Sequence, residues 1–350
     1  MKFDFAIGNP PYQEAAPGDS TSEYPVYHLF MDAAFEVADK VELITPARFL
    51  FNAGKTPKQW NEKILYSDTF KVLLYESDSN KIFPSQAITG GIAISINDKI
   101  NKTEPIITFC PYQELNSIYS KVVDLENYVG MDTIISGRTP YLFTELLHED
   151  YPDAEKRLSK GHRYDISSNV FETLPNIFCK EVPKCDKDFY RILGRLSNAR
   201  TYLWINKIYV HGRTSDLIGK WKVFLPKANG ASGMLGDEAA RLISKPVIGK
   251  PEDIATDTFV VVGSFNTETE ANAAYKYITG KFARVLLGML KVTQINSKET
   301  WKKVPLQDFS SHSDIDWTLS TPEIDKQLYR KYNLSDVEIG FIEAHVKEME

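Results

Sequence analysis

The tightest constraint on this chain lies near its start, where the apolar run Phe3-Asp4-Phe5-Ala6-Ile7 meets Gly8 and then Asn9-Pro10-Pro11-Tyr12. Two successive prolines have a fixed φ and no amide hydrogen, so a strand that reaches them must end. The run is therefore a short strand with a stiff loop at its carboxyl end. Beyond the loop, Val26 to Asp39 places Phe30, Ala33, Ala34 and Val37 at the spacing of one buried helix face. Val41 to Thr45 reads as a strand, Pro57 to Tyr66 as a helix and Phe70 to Glu76 as a strand, with further apolar runs at Ile92 to Ile96 and Ile106 to Cys110. Such alternation indicates a mainly parallel α/β sheet, whose closely spaced later strands are open to antiparallel pairing. Ligands of open α/β sheets bind beyond the carboxyl ends of strands, which is where Asn9 to Tyr12 stands.

The regular alternation stops near Val129, where Gly137-Arg138-Thr139-Pro140 and scattered aromatics take over. A second domain of irregular β structure is expected there. One strong helix runs from Glu268 to Leu290, with Ala271, Ala274, Tyr275 and Ile278 in phase and Gly280 as a break point. Ser335 and Glu338 form a capping-box pattern ahead of a last amphipathic helix. The expected organisation is a first domain over residues 1–128, a second over 129–310 and a helical tail over 311–350. A chain of 350 residues is long enough for two cores.

The net charge of −6 argues by itself against a polyanionic partner, but local charge matters more. Lys276, Lys281, Arg284, Lys291, Lys298, Lys302 and Lys303 form one cationic stretch, and Lys220, Lys222 and Lys227 another. A solvated helix face accounts for either group alone, so charge permits DNA binding without requiring it. Cys110, Cys179 and Cys185 form no CxxC pair, and no membrane-length apolar run or secretory leader is visible, which together suggest a reducing, cytoplasmic setting. The six histidines have no metal-ligand spacing.

The loop itself carries chemistry. The exocyclic amine of adenine is a poor nucleophile because its lone pair is delocalised into the ring. Two acceptors on its N–H groups draw the nitrogen toward tetrahedral geometry and free that pair. Asn9 offers a side-chain carbonyl and Pro10 a backbone carbonyl, while Pro11 keeps both in place with little ordering cost. Tyr12 offers an aromatic face for an extruded base.

The stretch FDFAIGNPPYQ resembles motif IV of the amino-group DNA methyltransferases, in the Eco57I-like and TaqI-like branch of restriction-modification systems. Tyr27-His28-Leu29-Phe30 resembles the helix after that loop, and Leu43-Ile44-Thr45-Pro46-Ala47-Arg48-Phe49-Leu50 the segment that follows. Ile82-Phe83-Pro84 resembles the motif whose aromatic packs on the other face of the adenine, which implies that Phe83 joins Tyr12 in base stacking. Lys222 to Pro226, Phe259 to Gln294 and Trp301 to Leu306 resemble the specificity region. The resemblance implies the C-terminal part of a Rossmann-like methyltransferase sheet followed by an irregular α+β target-recognition domain. It implies methylation of adenine in double-stranded DNA with S-adenosylmethionine; the local clusters of cations then suggest DNA contacts from Lys222, Lys227, Lys281, Arg284, Lys291 and Lys298.

One departure is large. The branch holds its methyl donor on a glycine-rich turn before the catalytic loop, and no Gly-x-Gly turn follows an early strand here. Three readings stay open: half of a split enzyme completed by a separate subunit, a piece of a longer polypeptide, or a non-enzymatic DNA-specificity subunit with a relic loop. On the first two, a sheet lacking strands exposes an apolar edge. Release-factor methyltransferases also carry Asn-Pro-Pro-Tyr, but stop soon after the sheet. Gly54-Lys55-Thr56 lacks the first glycine of a phosphate loop, since Phe49 stands there, and Asp153 has no Asp/Glu-x-Lys partner of a nuclease.

Overall fold

The computed structural model describes all residues except 1, 15–23, 85–86, 124–127, 186–187, 215, 230–234, 237, 292 and 350. They form two compact units, Met1–Asn116 and Ser117–Glu350.

The first unit is built on strand β1 (Phe3–Gly8), helix α1 (Tyr27–Val37), strand β2 (Ala38–Pro46), helix α2 (Lys58–Leu65), and strands β3 (Phe70–Glu76) and β4 (Ile92–Asp98). The sheet order is β1-β2-β4-β3. β1 and β2 are parallel, from Phe3 opposite Ala38 to Gly8 opposite Leu43, with α1 as the crossover. β4 runs antiparallel to both β2 and β3, so the mainly parallel sheet expected from the alternation is instead mixed. The run Ile106 to Cys110 forms no strand: Ile107 has φ 58° and the Thr108 amide donates to the Ile106 carbonyl at 2.6 Å, a tight turn incompatible with extension. Phe49 anchors the core, with ring centroids 6.1 Å from Tyr27, 5.4 Å from Trp60 and 6.1 Å from Phe70.

The expected inner face of α1 is the wrong one. Tyr27 and Met31 are the buried residues of this helix, whereas Phe30 and Val37 are 46% and 43% exposed. β1 behaves likewise at the sheet edge, with Phe3, Phe5 and Ile7, alternate residues on one face, 51%, 48% and 70% exposed. These apolar surfaces are left uncovered by the described residues of this unit.

The second unit contains α3 from Ser117 onward (the helix spans Gln113–Val123) and three small sheets. β5 (Tyr141–Phe143) pairs antiparallel with β8 (Val210–Gly212). β6 (Phe189–Leu196) lies between β7 (Ala199–Asn206), antiparallel, and β11 (Asp253–Ala255), parallel. β9 (Trp221–Pro226) lies between β10 (Val247–Gly249) and β12 (Phe259–Phe265), both antiparallel. Tyr141, Phe143, Phe171, Ile192, Phe224 and Phe259 share one core beneath them.

Helices α4 (Glu268–Thr279) and α5 (Lys281–Leu287) divide at Gly280, as the sequence suggests. Glycine is required there for space rather than for conformational freedom. Gly280 has φ −66°, but a Cβ there would stand 2.7 Å from Asp325 Oδ1. The C-terminal segment forms two helices, α6 (Thr321–Lys331) and α7 (Asp336–His345), both with complete capping boxes and both packed on α5. Only the second was expected.

Glu338 ties α7 to α3. It is 3% exposed and accepts from Ser117 Oγ at 2.7 Å, Lys121 Nζ at 2.7 Å and the Ser335 amide at 2.6 Å. Burial acts to raise its pKa, but these bonds outweigh burial and hold the carboxyl down to about 2. An acid with a folded pKa below its unfolded value stabilises the fold above the unfolded value, and that stabilisation is lost as pH falls through the folded one. Melting of the second unit is therefore expected to weaken between pH 4.5 and about 2. Glu338→Gln should flatten the dependence in that window; an unchanged slope of melting temperature against pH would refute the assignment.

Candidate functional site

The Asn9-Pro10-Pro11-Tyr12 loop leaves β1 at Gly8, and its far end is pinned. The Val26 amide donates to the Tyr12 carbonyl at 3.0 Å, and Gln13–Glu14 pairs antiparallel with Tyr24–Pro25. Held at both ends and stiffened by its prolines, the loop presents Asn9 and Pro11 to solvent, with Pro10 and Tyr12 half-buried. Tyr12 Oη is buried with no partner among the described residues, and burial pushes the phenol up to about 12, so it stays protonated at neutral pH.

Tyr12 forms one wall of a cleft of about 550 Å³. Gln13, Pro25 and Tyr27 continue that wall, Pro46 and Arg48 come from the end of β2, Gly54 and Lys55 from the next turn, and Ala87, Ile88 and Thr89 from the loop before β4. The Ala47 amide donates to the Gly91 carbonyl at 2.9 Å, which ties the end of β2 to the loop before β4. Burial also pushes Tyr27 up to about 12, against a hydrogen bond to Thr56 and the charge of Arg48. The cleft thus has an apolar and aromatic wall, unpaired polar atoms and two cations. It is open enough to admit a planar heterocycle.

Phe83 is half-buried in the turn before this loop and is not among the residues lining the cleft; its segment contributes Ala87 to Thr89 instead. Sequence reasoning missed Tyr27, Arg48 and Lys55. The available signal was a lone arginine inside the apolar stretch Leu43 to Leu50, just past a strand end.

The six cations expected on DNA fall into two groups. Lys222, Arg284 and Lys291 are 0%, 1% and 1% exposed. Lys222 Nζ donates to the carbonyls of Ile218 and Asp253 at 2.9 and 3.1 Å, and Arg284 to those of Thr279, Arg241 and Lys347 at 2.9, 3.0 and 2.7 Å. Lys291 Nζ donates to the Thr293 carbonyl at 2.9 Å, and burial lowers its pKa to about 7. These three hold the fold together, and in these positions they offer no donor to a phosphate. Lys227 and Lys281 are near the surface but paired with Asp257 and Glu343, and Lys298 is half-buried at the start of the turn Lys298–Trp301.

A second cleft, of about 600 Å³, lies wholly in the second unit and gathers Arg195, Arg200, Lys227, Asn169 and Asn198 beside Asp257. Its rim is the β6–β7 hairpin, where Ser197 and Asn198 have φ 48° and 65°. Arg195 donates to Asn198 Oδ1 at 2.6 Å, and the Arg200 guanidinium lies 5.9 Å from the Phe259 ring centre. Among the described residues no cluster of His, Cys, Asp and Glu could hold a metal, and no helix is long and apolar enough to cross a membrane.

Residues 1–83 match the model of the Eco57I restriction-modification methylase family. The matched span takes in β1, the Asn9–Tyr12 loop, β2 with Arg48, and Phe83. An uncharacterized adenine-specific methylase of Mycoplasma pneumoniae is 30% identical over 99 residues, which are 27% of this chain and 24% of that protein. Over its N-terminal part the chain is therefore similar to adenine methylases of the restriction-modification type, and it spans only about a quarter of that relative.

Proposed function

We propose that this chain carries the catalytic loop and target-recognition part of a site-specific DNA adenine methyltransferase. The observation that carries the reading is the pinned Asn9–Tyr12 loop at the carboxyl end of β1, with Tyr12 walling an open cleft of about 550 Å³. On this reading the Asn9 side-chain carbonyl and the Pro10 carbonyl accept from the exocyclic amine and concentrate its lone pair. Tyr12 stacks on the extruded base. The Arg195, Arg200, Asn169 and Asn198 cleft has the forked and amide donors that read base edges, and it replaces the buried lysines as the expected recognition surface.

The reaction draws its methyl group from S-adenosylmethionine. The described residues fit that donor poorly, because the chain contains no Gly-x-Gly turn after a strand. The uncovered Phe3, Phe5 and Ile7 on β1, with Phe30 and Val37 on α1, support a Rossmann-like sheet continued beyond β1 by further strands, from this polypeptide or from a separate subunit. Incubating the chain with DNA and labelled donor, alone and with the product of the adjacent upstream reading frame, tests this. Label in DNA in either arm supports methyl transfer. DNA binding with no label in both arms would favour the second reading, a non-enzymatic specificity subunit.

A further inference from the structure

The Tyr12 cleft is cationic in a way that a neutral base does not need. Arg48 and Lys55 line it, and none of its described lining residues is acidic. Arg48 Nε is buried without a partner among the described residues. Tyr27, which also lines the cleft, is kept protonated at neutral pH by burial and supplies no counter-charge. The arginine is also held in place. Its stem lies against Gly54 and Gly90, both at φ 90°; a Cβ at Gly90 would stand 2.6 Å from Arg48 Cγ, and one at Gly54 3.3 Å from Cδ. Side chains at either glycine would displace it, so the two turns together form a seat for this side chain. Lys55 Nζ lies 5.1 Å from the Tyr24 ring centre.

A half-buried, planar, forked cation with its Nε unpaired, beside an aromatic wall, fits an oxyanion attached to the base that enters the cleft. We propose that Arg48 binds the phosphodiester of the nucleotide whose base enters the Tyr12 cleft. This rests on the base-binding reading above and adds to it a specific anchor. Arg48 is a positioning residue: it fixes the sugar-phosphate end of an extruded nucleotide, so that the base arrives on Tyr12 with its amine toward Asn9.

Titration of the full chain with deoxyadenosine and with its 5′- and 3′-monophosphates, followed by tyrosine fluorescence, tests the anchor. At least one monophosphate is expected to bind about tenfold or more tightly than the nucleoside, as a charge-assisted contact predicts. Arg48→Gln should reduce that ratio to near one, Arg48→Lys should leave part of it, and Tyr12→Ala should weaken all three ligands. In the unaltered protein the ratio should also shrink as salt is raised, a readout that does not depend on a variant folding. A ratio near one in the unaltered protein, or one that survives Arg48→Gln, overturns the proposal and leaves base binding standing. Monophosphate binding that needs Arg48 but ignores Tyr12→Ala retains the anion site and removes the base-stacking reading. Binding of none of the three overturns both.

Discussion

Replacing Asn9 with alanine is expected to lower methyl incorporation into DNA by roughly a hundredfold to a thousandfold, the usual cost of removing one positioned hydrogen-bonding group from a transition state. The proposed role makes this a loss in the chemical step. An exocyclic amine gains charge as it attacks, so the Asn9 carbonyl acts more strongly on the transition state than on the bound base. Retention of DNA should be largely unchanged, because Asn9 is exposed and is not required for stacking. Stability should also change little, since a surface substitution on a loop pinned at both ends removes no buried contact. Tyr12→Ala should behave differently and weaken binding as well as turnover, because the ring is half-buried and forms the cleft wall. The measurement is incorporation from labelled donor under the conditions in which the unaltered chain, alone or complemented, is active. If Asn9→Ala keeps more than about a third of that incorporation, far above the expected range, the residue is not an acceptor for the amine.

The loop was legible because proline acts locally: a strand that meets Pro10-Pro11 must stop, and no tertiary context changes that. Gly280 was legible as a helix break, although what requires glycine at that position, the Asp325 carboxylate 2.7 Å from where a Cβ would stand, lies far along the chain. The failures share a non-local origin. Local charge density suggested DNA contacts for Lys222, Arg284 and Lys291, but whether a cation meets solvent or a backbone carbonyl depends on which strands and turns fold over it. Periodicity found the apolar face of α1 at Phe30 and Val37, but it cannot say whether the same unit covers that face. Arg48 was overlooked because a single arginine in an apolar stretch has no pattern; it becomes conspicuous only when Gly54 and Gly90 are brought against its stem.

The largest expected effect on stability is at Asp325, a buried carboxylate 4% exposed. Its Oδ2 accepts from the Lys281 amide at 2.8 Å and its Oδ1 from the Phe282 amide at 3.1 Å. α5 begins at Gly280, which has no side chain to cap it, so a residue of α6 satisfies two of the helix's first amides. Alanine at 325 leaves both amides buried and unpaired, at a cost of about 3 kcal/mol, and it also loosens α6 from α5. Asparagine keeps one acceptor and should cost less. The two variants also separate by pH. Burial raises the Asp325 carboxyl to about 6, against the lowering effect of the two amides and of Arg284. A folded pKa above the unfolded value means that the contribution is complete below about 3.8 and declines as pH rises through about 6. Melting of the unaltered chain should therefore fall relative to Asp325→Asn across that interval, and the gap should be constant above it. Parallel melting curves for the two proteins across the interval would show that this carboxylate does not titrate as its surroundings require. An alanine variant as stable as the unaltered chain would show that the cap contributes nothing to holding the C-terminal helices in place.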